Sequence, residues 1–470
     1  MTMQISLIGG GLVGSLLSII LARKGYTVDV FESRADMRKT DISAGRSINL
    51  ALANRGIKPL QALGLMDDIN DMLIPMSGRM VHVDGQMTSL QPYGQSSKEV
   101  IYSISRAKLN SYLMSQAEAT GRVTFYFEHK ITDIDFHSMC FSADVKELAN
   151  GQSKATSKRY PFQRIIGTDG ANSPVRKAII DALSEQSGEQ SDSYSPYSLS
   201  EDTLDHSYKE LTIAPTTDGQ FQLEPNALHI WPRGEFMLIA LPNLDASFTA
   251  TLFMPNKGFT SFDSIRTEDE VQQFFNSHFA TATPLLDNLT DSFLQNPTGK
   301  LATIKCSPWQ FEDKALIIGD AAHAIVPFHG QGMNCGFEDC DAIASIFPDA
   351  KDAEAKADWT ALFTQVENMR KENADAIADM ALENYIEMRD SVMQHEFLLQ
   401  KQFAAKIQQS FPNRFTPRYA MVMFEHRPYS EAYRLGEKHK QLLAELSDRY
   451  SCPTQFTDDI IESLLDKYQL

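Results

Sequence analysis

Basic charge, paired cysteines and long apolar runs are scarce in this 470-residue chain, and each shortage removes a class of function. Lysine and arginine number 43 against 61 aspartates and glutamates, a net charge of -18 that argues against a nucleic-acid partner. The same imbalance makes individual arginines informative, because an acidic protein that binds acidic small molecules must concentrate positive charge locally. Five cysteines (Cys140, Cys306, Cys335, Cys340 and Cys452) form no CxxC pair and have no metal-ligand spacing. Such a sparse, odd set fits a reducing compartment better than a disulfide framework, so Cys335 and Cys340 are read as packing residues and no metal site is expected. No uninterrupted apolar run reaches the ~20 residues that span a bilayer. The apolar stretch from Ile5 to Leu21 is broken by four glycines, which suits a strand, a turn and a helix rather than a secretory leader. The expected location is the cytoplasm, with no membrane anchor.

The broken stretch is itself the first positive signal. Met3 to Ile8 reads as a buried strand, Gly9 to Gly14 as a turn, Ser15 to Lys24 as a helix and Thr27 to Glu32 as the next strand. The turn, Gly9-Gly10-Gly11-Leu12-Val13-Gly14, fits GxGxxG. Gly9 permits the tight turn, Gly11 lets a pyrophosphate reach the helix N-terminus, and Gly14 allows close helix–strand packing. Glu32, 18 residues after Gly14, ends the second strand, where a carboxylate can hold adenosine ribose hydroxyls. This fingerprint indicates a dinucleotide but does not choose between NAD and FAD. Two further strand-end turns bear on the choice, Gly167-Thr168-Asp169-Gly170 and Gly319-Asp320. Asp320 would emerge where its carboxylate can accept a ribityl hydroxyl of a flavin. Gly330 and Gly332 would let backbone N–H groups approach an anionic ring or phosphate. No second well-placed GxGxxG follows.

The order of elements predicts an α/β protein, α+β overall. A Rossmann-like dinucleotide-binding domain is assembled from residues 1–75, 103–180 and 300–350. A β-rich substrate domain takes residues 76–102 and 205–299, and a helical C-terminal domain takes residues 351–470. Ser105 is the expected N-cap of a helix running to Ala119. LHIWP, FMLIALP and FTATLFMP are the candidate strands of the substrate sheet, and Ile239 and Leu241 share one of its faces. Residues 183–204 are polar and acidic without apolar period and are expected to form a mobile surface loop.

Three strand-end turns in this order resemble the flavoprotein monooxygenases with a single FAD domain, the group that includes para-hydroxybenzoate hydroxylase. The blocks GRSINLAL (Gly45–Leu52), PYG (Pro92–Gly94), LHIWPR (Leu228–Arg233), GDAAHAIVPFHGQGMN (Gly319–Asn334) and ENYIEMR (Glu383–Arg389) narrow the resemblance to the kynurenine 3-monooxygenase family, in its soluble bacterial form. The similarity runs in order from residue 3 to about residue 430. It implies a para-hydroxybenzoate-hydroxylase-like fold, tightly but non-covalently bound FAD, and NADPH and O2 as co-substrates. L-kynurenine would be hydroxylated to 3-hydroxy-L-kynurenine through a flavin hydroperoxide, with the flavin rather than a catalytic side chain performing the chemistry. Absence of a Ser–His–Asp set or paired carboxylates agrees with this.

The resemblance also implies contacts. For the cofactor these are Gly9, Gly11, Val13, Gly14, Glu32, Ser33, Arg34, Ala51, Arg106, Ile131, Asp169, Asp320, Gly332, Met333 and Asn334, with Arg46 a further candidate anion partner. NADPH would bind without a Rossmann domain of its own. For the substrate, Arg79 and Tyr93 would take the α-carboxylate, with Asn384 and Tyr419 as further polar contacts. Leu228, Ile239, Leu241, Phe253 and Phe328 would flank the ring, and His329 would lie over flavin or substrate. His323 reads as structural. The protein would be a monomer or a homodimer. Two alternatives stay open: a hydroxylase of the same fold acting on another aromatic acid, and a non-catalytic FAD-binding scaffold. A flavin halogenase is disfavoured because Trp231, Trp309 and Trp359 are isolated.

Overall fold

The apolar segment Gln4–Ile8 sits inside a six-stranded sheet, flanked by Thr27–Phe31 and Ile165–Gly167 in parallel register (Ile5 opposite Val28, Leu7 opposite Ile166). A parallel strand is covered on both faces, which is why its sequence is a nearly continuous apolar run rather than an alternation. Val123–Tyr126 closes one edge of the sheet and Ala315–Ile317 with Gln310–Phe311 the other. Helices Leu12–Arg23 and Arg106–Ala119 pack together beside it. Ser105 caps the second helix as expected, its hydroxyl accepting the Lys108 N–H. The computed structural model describes residues 3–39, 49–85, 87–94, 96, 98–149, 152–187, 197–389 and 395–470. Arg46 lies outside them, as do residues 188–196 of the polar stretch.

A seven-stranded sheet forms the second layer, in the order Gly299–Ser307, Ser198–Ile213, Phe248–Pro255, Met237–Pro242, Leu228–Pro232, Gly78–Val81, Ser89–Pro92. Its middle strands are buried on both sides, yet period two still sorts them. Leu238, Ala240, Phe248, Ala250 and Leu252 join a core with Phe274, Phe275 and Phe293 from the helices Glu268–His278 and Leu289–Gln295. Met237, Ile239, Leu241, Thr249, Thr251 and Phe253 face the other way, into a cavity. The sheet is therefore a partition between a packed core and a binding space.

Two expectations fail in this layer. Residues 183–204 are not a loop in their described parts. The helix Pro174–Ser187 runs into the segment, and the strand from Ser198 begins before it ends. Residues 300–307, expected in the dinucleotide-binding domain, belong to the strand Gly299–Ser307 and instead pair antiparallel with Ser198–Ile213. The two errors are linked. The polar sequence from Ser198 carries no apolar period, so its strand state is set by that partner about a hundred residues away.

Beyond the sheets lie the helices Trp359–Arg389, His395–Ser410, Arg418–Phe424, Tyr429–Arg449 and Asp458–Lys467. The later ones close a separate core of Phe403, Leu442, Leu446, Phe456 and Leu465. Among the described residues, no helix is long and apolar enough to cross a membrane.

Candidate active site

A cavity of about 510 Å³ opens where the two sheets and the C-terminal helices meet. One end is built from the glycine turn. Gly9 holds φ +105°, and a Cβ on Gly14 would stand 2.0 Å from the Gly9 carbonyl oxygen and 2.6 Å from Thr168 Oγ1. These glycines allow strand and helix to touch. Gly11 differs: a Cβ there meets nothing within 4 Å, because the position faces the cavity. The helix behind it, Leu12–Arg23, starts without any side-chain cap, and so does Gly332–Ile346 on the opposite wall. Their first backbone N–H groups therefore remain available to an anion. Arg106 and Asp320 also line this end. Crowding by surrounding atoms pushes the Asp320 carboxyl up, and the Arg106 charge pulls it back. Two uncapped helix N-termini, an open glycine, a cation and a hydroxyl-accepting carboxylate are the donor and acceptor set that FAD requires. The residues fit the FAD that the family resemblance implies.

Several expected cofactor residues act one step behind the cavity wall. The Glu32 carboxylate accepts the Gly10 N–H at 2.9 Å and is clamped by Arg34 through Nε at 2.9 Å and Nη2 at 3.1 Å, with Ser33 Oγ donating at 3.3 Å. Burial pushes that carboxyl up, but the Arg34 and Gly10 hydrogen bonds outweigh it and hold the group below its usual range. Asn334 makes no wall either. Its amide donates to the Ala51 and Gly330 carbonyls, both at 2.8 Å, and accepts the Ala53 N–H at 2.9 Å. It fastens the glycine loop to the strand Asn49–Leu52. Asp169 turns away from the cavity to accept the Val175 N–H at 3.3 Å, and burial pushes its carboxyl up to about 6. Ile131 is packed in the sheet of His129–Asp135 and is absent from the lining. Val13, Ala51, Gly332 and Met333 do line it.

At the other end stands Arg79, 6% exposed, on the strand Gly78–Val81. The turn after the neighbouring strand brings Tyr93 alongside, and Tyr419 comes from the helix Arg418–Phe424. The two tyrosine rings stack at 5.2 Å, and the guanidinium lies 5.9 Å from one centroid and 5.2 Å from the other. Burial alone would weaken the arginine's charge, but the two tyrosines and Glu387 outweigh it. Burial also pushes the Tyr419 hydroxyl well above its ordinary range, so it stays protonated and can donate. Between the two ends, Leu228, Ile239, Leu241, Phe253 and Phe328 form apolar walls, and His329 stacks on Tyr419 at 5.5 Å. Asn384 is a correction to the expected substrate contacts. It is buried behind the wall, donating to the Phe328 carbonyl at 2.6 Å, so it holds the wall in place.

Sequence reasoning did not single out Glu387, 3.3 Å from Arg79 on the long helix. Nor did it single out Met237, Met388 and Met423 as cavity residues. The ENYIEMR block contained two of these, and spacing from Asn384 along one helix was the only available cue.

Behind Asp320 lies a closed ionic network. The Asp339 carboxylate accepts from His323 Nε2 at 2.6 Å, the Gly319 N–H at 2.9 Å and Arg370 Nε at 2.7 Å. Burial disfavours the charged imidazole, but Asp339 outweighs it and keeps His323 well above its usual value. With Cys335, these side chains are close enough to suggest a metal set. The Arg370 guanidinium already donates to both Asp339 and Cys335, so two cations already answer the Asp339 charge. The network pins Gly319 at φ +60° and thereby aims Asp320.

His329 makes a pH prediction. Burial, reinforced by Arg418, Arg79 and Arg55, lowers it from 6.5 to about 3. Between those values the unfolded chain binds the extra proton, so stability falls as pH drops below 6.5, by about 1.4 kcal/mol per pH unit for this group. His329→Phe is therefore expected to gain melting temperature on the parent progressively as the solution is acidified. A gap that stays constant with pH would refute the neutral, buried assignment.

Comparison with known proteins bears on the family and the fold. Residues 2–379 match the family model of the FAD binding domain. The kynurenine 3-monooxygenase of Stenotrophomonas maltophilia is 44% identical over 442 residues, covering 94% of this chain and 91% of that protein. That of Myxococcus xanthus is 43% identical over 444 residues, covering 94% and 90%. Among solved structures, tetrameric 2-methyl-3-hydroxypyridine-5-carboxylic acid oxygenase superposes with a TM-score of 0.62 at 16% identity, covering 86% of this chain and 96% of that one. Pseudomonas aeruginosa PqsL in complex with 2-aminobenzoylacetate gives 0.61 at 16% identity, covering 83% and 97%. At that identity the structural likeness concerns the fold alone.

Proposed function

The chain belongs to the kynurenine 3-monooxygenase family of FAD-dependent monooxygenases, and we propose that its cavity seats L-kynurenine with the α-carboxylate at Arg79 and the aryl ring against the flavin end. Its reaction is the NADPH- and O2-dependent hydroxylation of L-kynurenine to 3-hydroxy-L-kynurenine. The observation that carries the seating is a single cavity with an anion-accepting glycine cradle at one end and a buried arginine between two tyrosines at the other.

Each part of the substrate meets a matching group. Arg79 offers a charge-assisted partner to the carboxylate, and Tyr93 and Tyr419 add hydroxyl donors. Glu387 stands beside Arg79 and can accept from the α-ammonium. Phe328, Phe253, Leu228, Ile239 and Leu241 hold the ring flat and keep water away from the reacting carbon. Asn384, through the Phe328 carbonyl, fixes the wall nearest the glycine loop. No side chain has to remove a proton to start the reaction, because the substrate's own aryl amine activates the ring. FAD held by the glycine cradle and reduced by NADPH supplies the oxygen activation.

The test is NADPH oxidation with and without L-kynurenine, with product mass and H2O2 read together. Substrate-stimulated oxidation with a product heavier by one oxygen is expected; a yellow protein inert to NADPH with L-kynurenine would overturn the reading. Tyr419→Phe is expected to keep FAD and raise the L-kynurenine KM by roughly 2- to 15-fold, the value of one hydrogen bond of about 0.5–1.5 kcal/mol. Unchanged steady-state kinetics would remove Tyr419 from the carboxylate site.

A further inference from the structure

Met237, Met333, Met388 and Met423 line the cavity, although bulk water barely reaches them: they are 0%, 8%, 4% and 2% exposed. A thioether on an irregular wall is ordinarily a gap-filler. Two of these sulfurs have a second task. Gln331 Nε2 donates to Met423 Sδ at 2.9 Å, while its Oε1 accepts the Tyr429 hydroxyl at 2.7 Å. Asn384 Nδ2 donates to Met388 Sδ at 3.4 Å as well as to the Phe328 carbonyl at 2.6 Å. Gln331 and Asn384 are both buried, and both grip the segment that carries Phe328, His329 and Gly330. The long helix thus holds this loop through Asn384, whose amide also reaches Met388 on the same helix, and the helix Arg418–Phe424 holds it through the Met423 sulfur; both methionines line the reaction space.

We propose that Met388 and Met423 are sites of turnover-dependent sulfoxidation by hydrogen peroxide released inside the cavity when oxygen is reduced without hydroxylation, and that this modification limits uncoupled turnover. The proposal rests on the monooxygenase reading above. In the step, a sulfur lone pair attacks one peroxide oxygen, an S–O bond forms and the O–O bond breaks. The sulfur is oxidised by two electrons, and the second oxygen leaves as water once the proton of the transferred hydroxyl has moved to it. The sulfoxide is larger than the thioether, and its oxygen is a stronger acceptor. It would draw the Asn384 and Gln331 amides out of their present geometry and loosen the loop that walls the ring.

The experiment compares two ligands of the FAD-loaded protein in air with NADPH and with catalase in the surrounding solution. One is L-kynurenine; the other is benzoylalanine, the same skeleton without the amine that activates the ring. Peptide mass spectrometry then reads the gain of one oxygen at each methionine. The expected result is several-fold more oxidation at Met388 and Met423 per NADPH consumed with benzoylalanine than with L-kynurenine. Met87 and Met369, 93% and 45% exposed, should stay largely unmodified there yet be oxidised first when peroxide is added to the resting protein. NADPH consumption that leaves Met388 and Met423 unmodified, or oxidises only the exposed pair, overturns the proposal and leaves the functional reading standing. Absence of NADPH consumption with both ligands overturns the reading and the proposal together.

Discussion

Arg79→Ala is expected to raise the L-kynurenine dissociation constant by roughly 10- to 150-fold while FAD remains bound, the range set by a charge-assisted contact worth about 1.5–3 kcal/mol. The guanidinium is buried, and among the described residues its ion pair is a single contact to Glu387 at 3.3 Å. A substrate carboxylate would add a second, closer anion to this buried cation. Arg79→Lys should fall between the two, since an ammonium keeps the charge but loses the planar fork and its stacking on Tyr419. Titration calorimetry on the oxidised holoprotein gives the constant, and flavin absorbance reports cofactor content in the same sample. Near-parental affinity in Arg79→Ala would sink the carboxylate assignment. Loss of FAD together with substrate would point instead to a general collapse of the cavity.

The second large effect separates two glycines of one turn. Gly14→Ala places a methyl 2.0 Å from the Gly9 carbonyl oxygen, a distance that forces strand and helix apart. Overpacking of this kind costs about 1–3 kcal/mol or more, so the variant should melt earlier and purify largely as apoprotein. Gly11→Ala has room in the protein itself, because nothing lies within 4 Å of the new methyl. Its apoprotein should melt like the parent. Its FAD affinity should still fall by roughly 10- to 150-fold, since the methyl occupies the approach of the pyrophosphate to the helix N–H groups and removes a charged hydrogen bond. Melting curves of the two apoproteins and FAD titrations decide the matter. If Gly11→Ala binds FAD normally, the pyrophosphate does not cross that position.

Much of the site was legible because some residue types leave few options. A glycine run between an apolar strand and a helix has one economical use, and Gly9, Gly11 and Gly14 occupy it. An arginine on a strand of an acidic protein is a candidate anion partner before any fold is known, and Arg79 lines the cavity as expected. Polar amides and carboxylates were less legible. Asn334, Asn384 and Asp169 were assigned to ligands, yet each turns to the backbone: Asn334 to Ala51 and Gly330, Asn384 to Phe328, and Asp169 to nearby Val175. An amide side chain can satisfy a backbone carbonyl or a ligand equally well. Which one it meets depends on where the fold brings those carbonyls, 283 residues away for Asn334 and 56 for Asn384.

By itself, the sequence determined the glycine turn and the alternating faces of the substrate sheet, while Arg79 was singled out among several arginines by the family resemblance. The first two follow from local rules: backbone freedom at glycine and period two in strands. Only the tertiary structure decided that the polar stretch from Ser198 is a strand, that Glu387 stands beside Arg79, and that Asp339 aims Asp320 through Gly319. It also decided that the Met423 sulfur helps hold the loop between flavin and substrate. Each of these is a contact between segments far apart in the chain, and neither propensity nor spacing carries information about a partner that arrives only when the layers close.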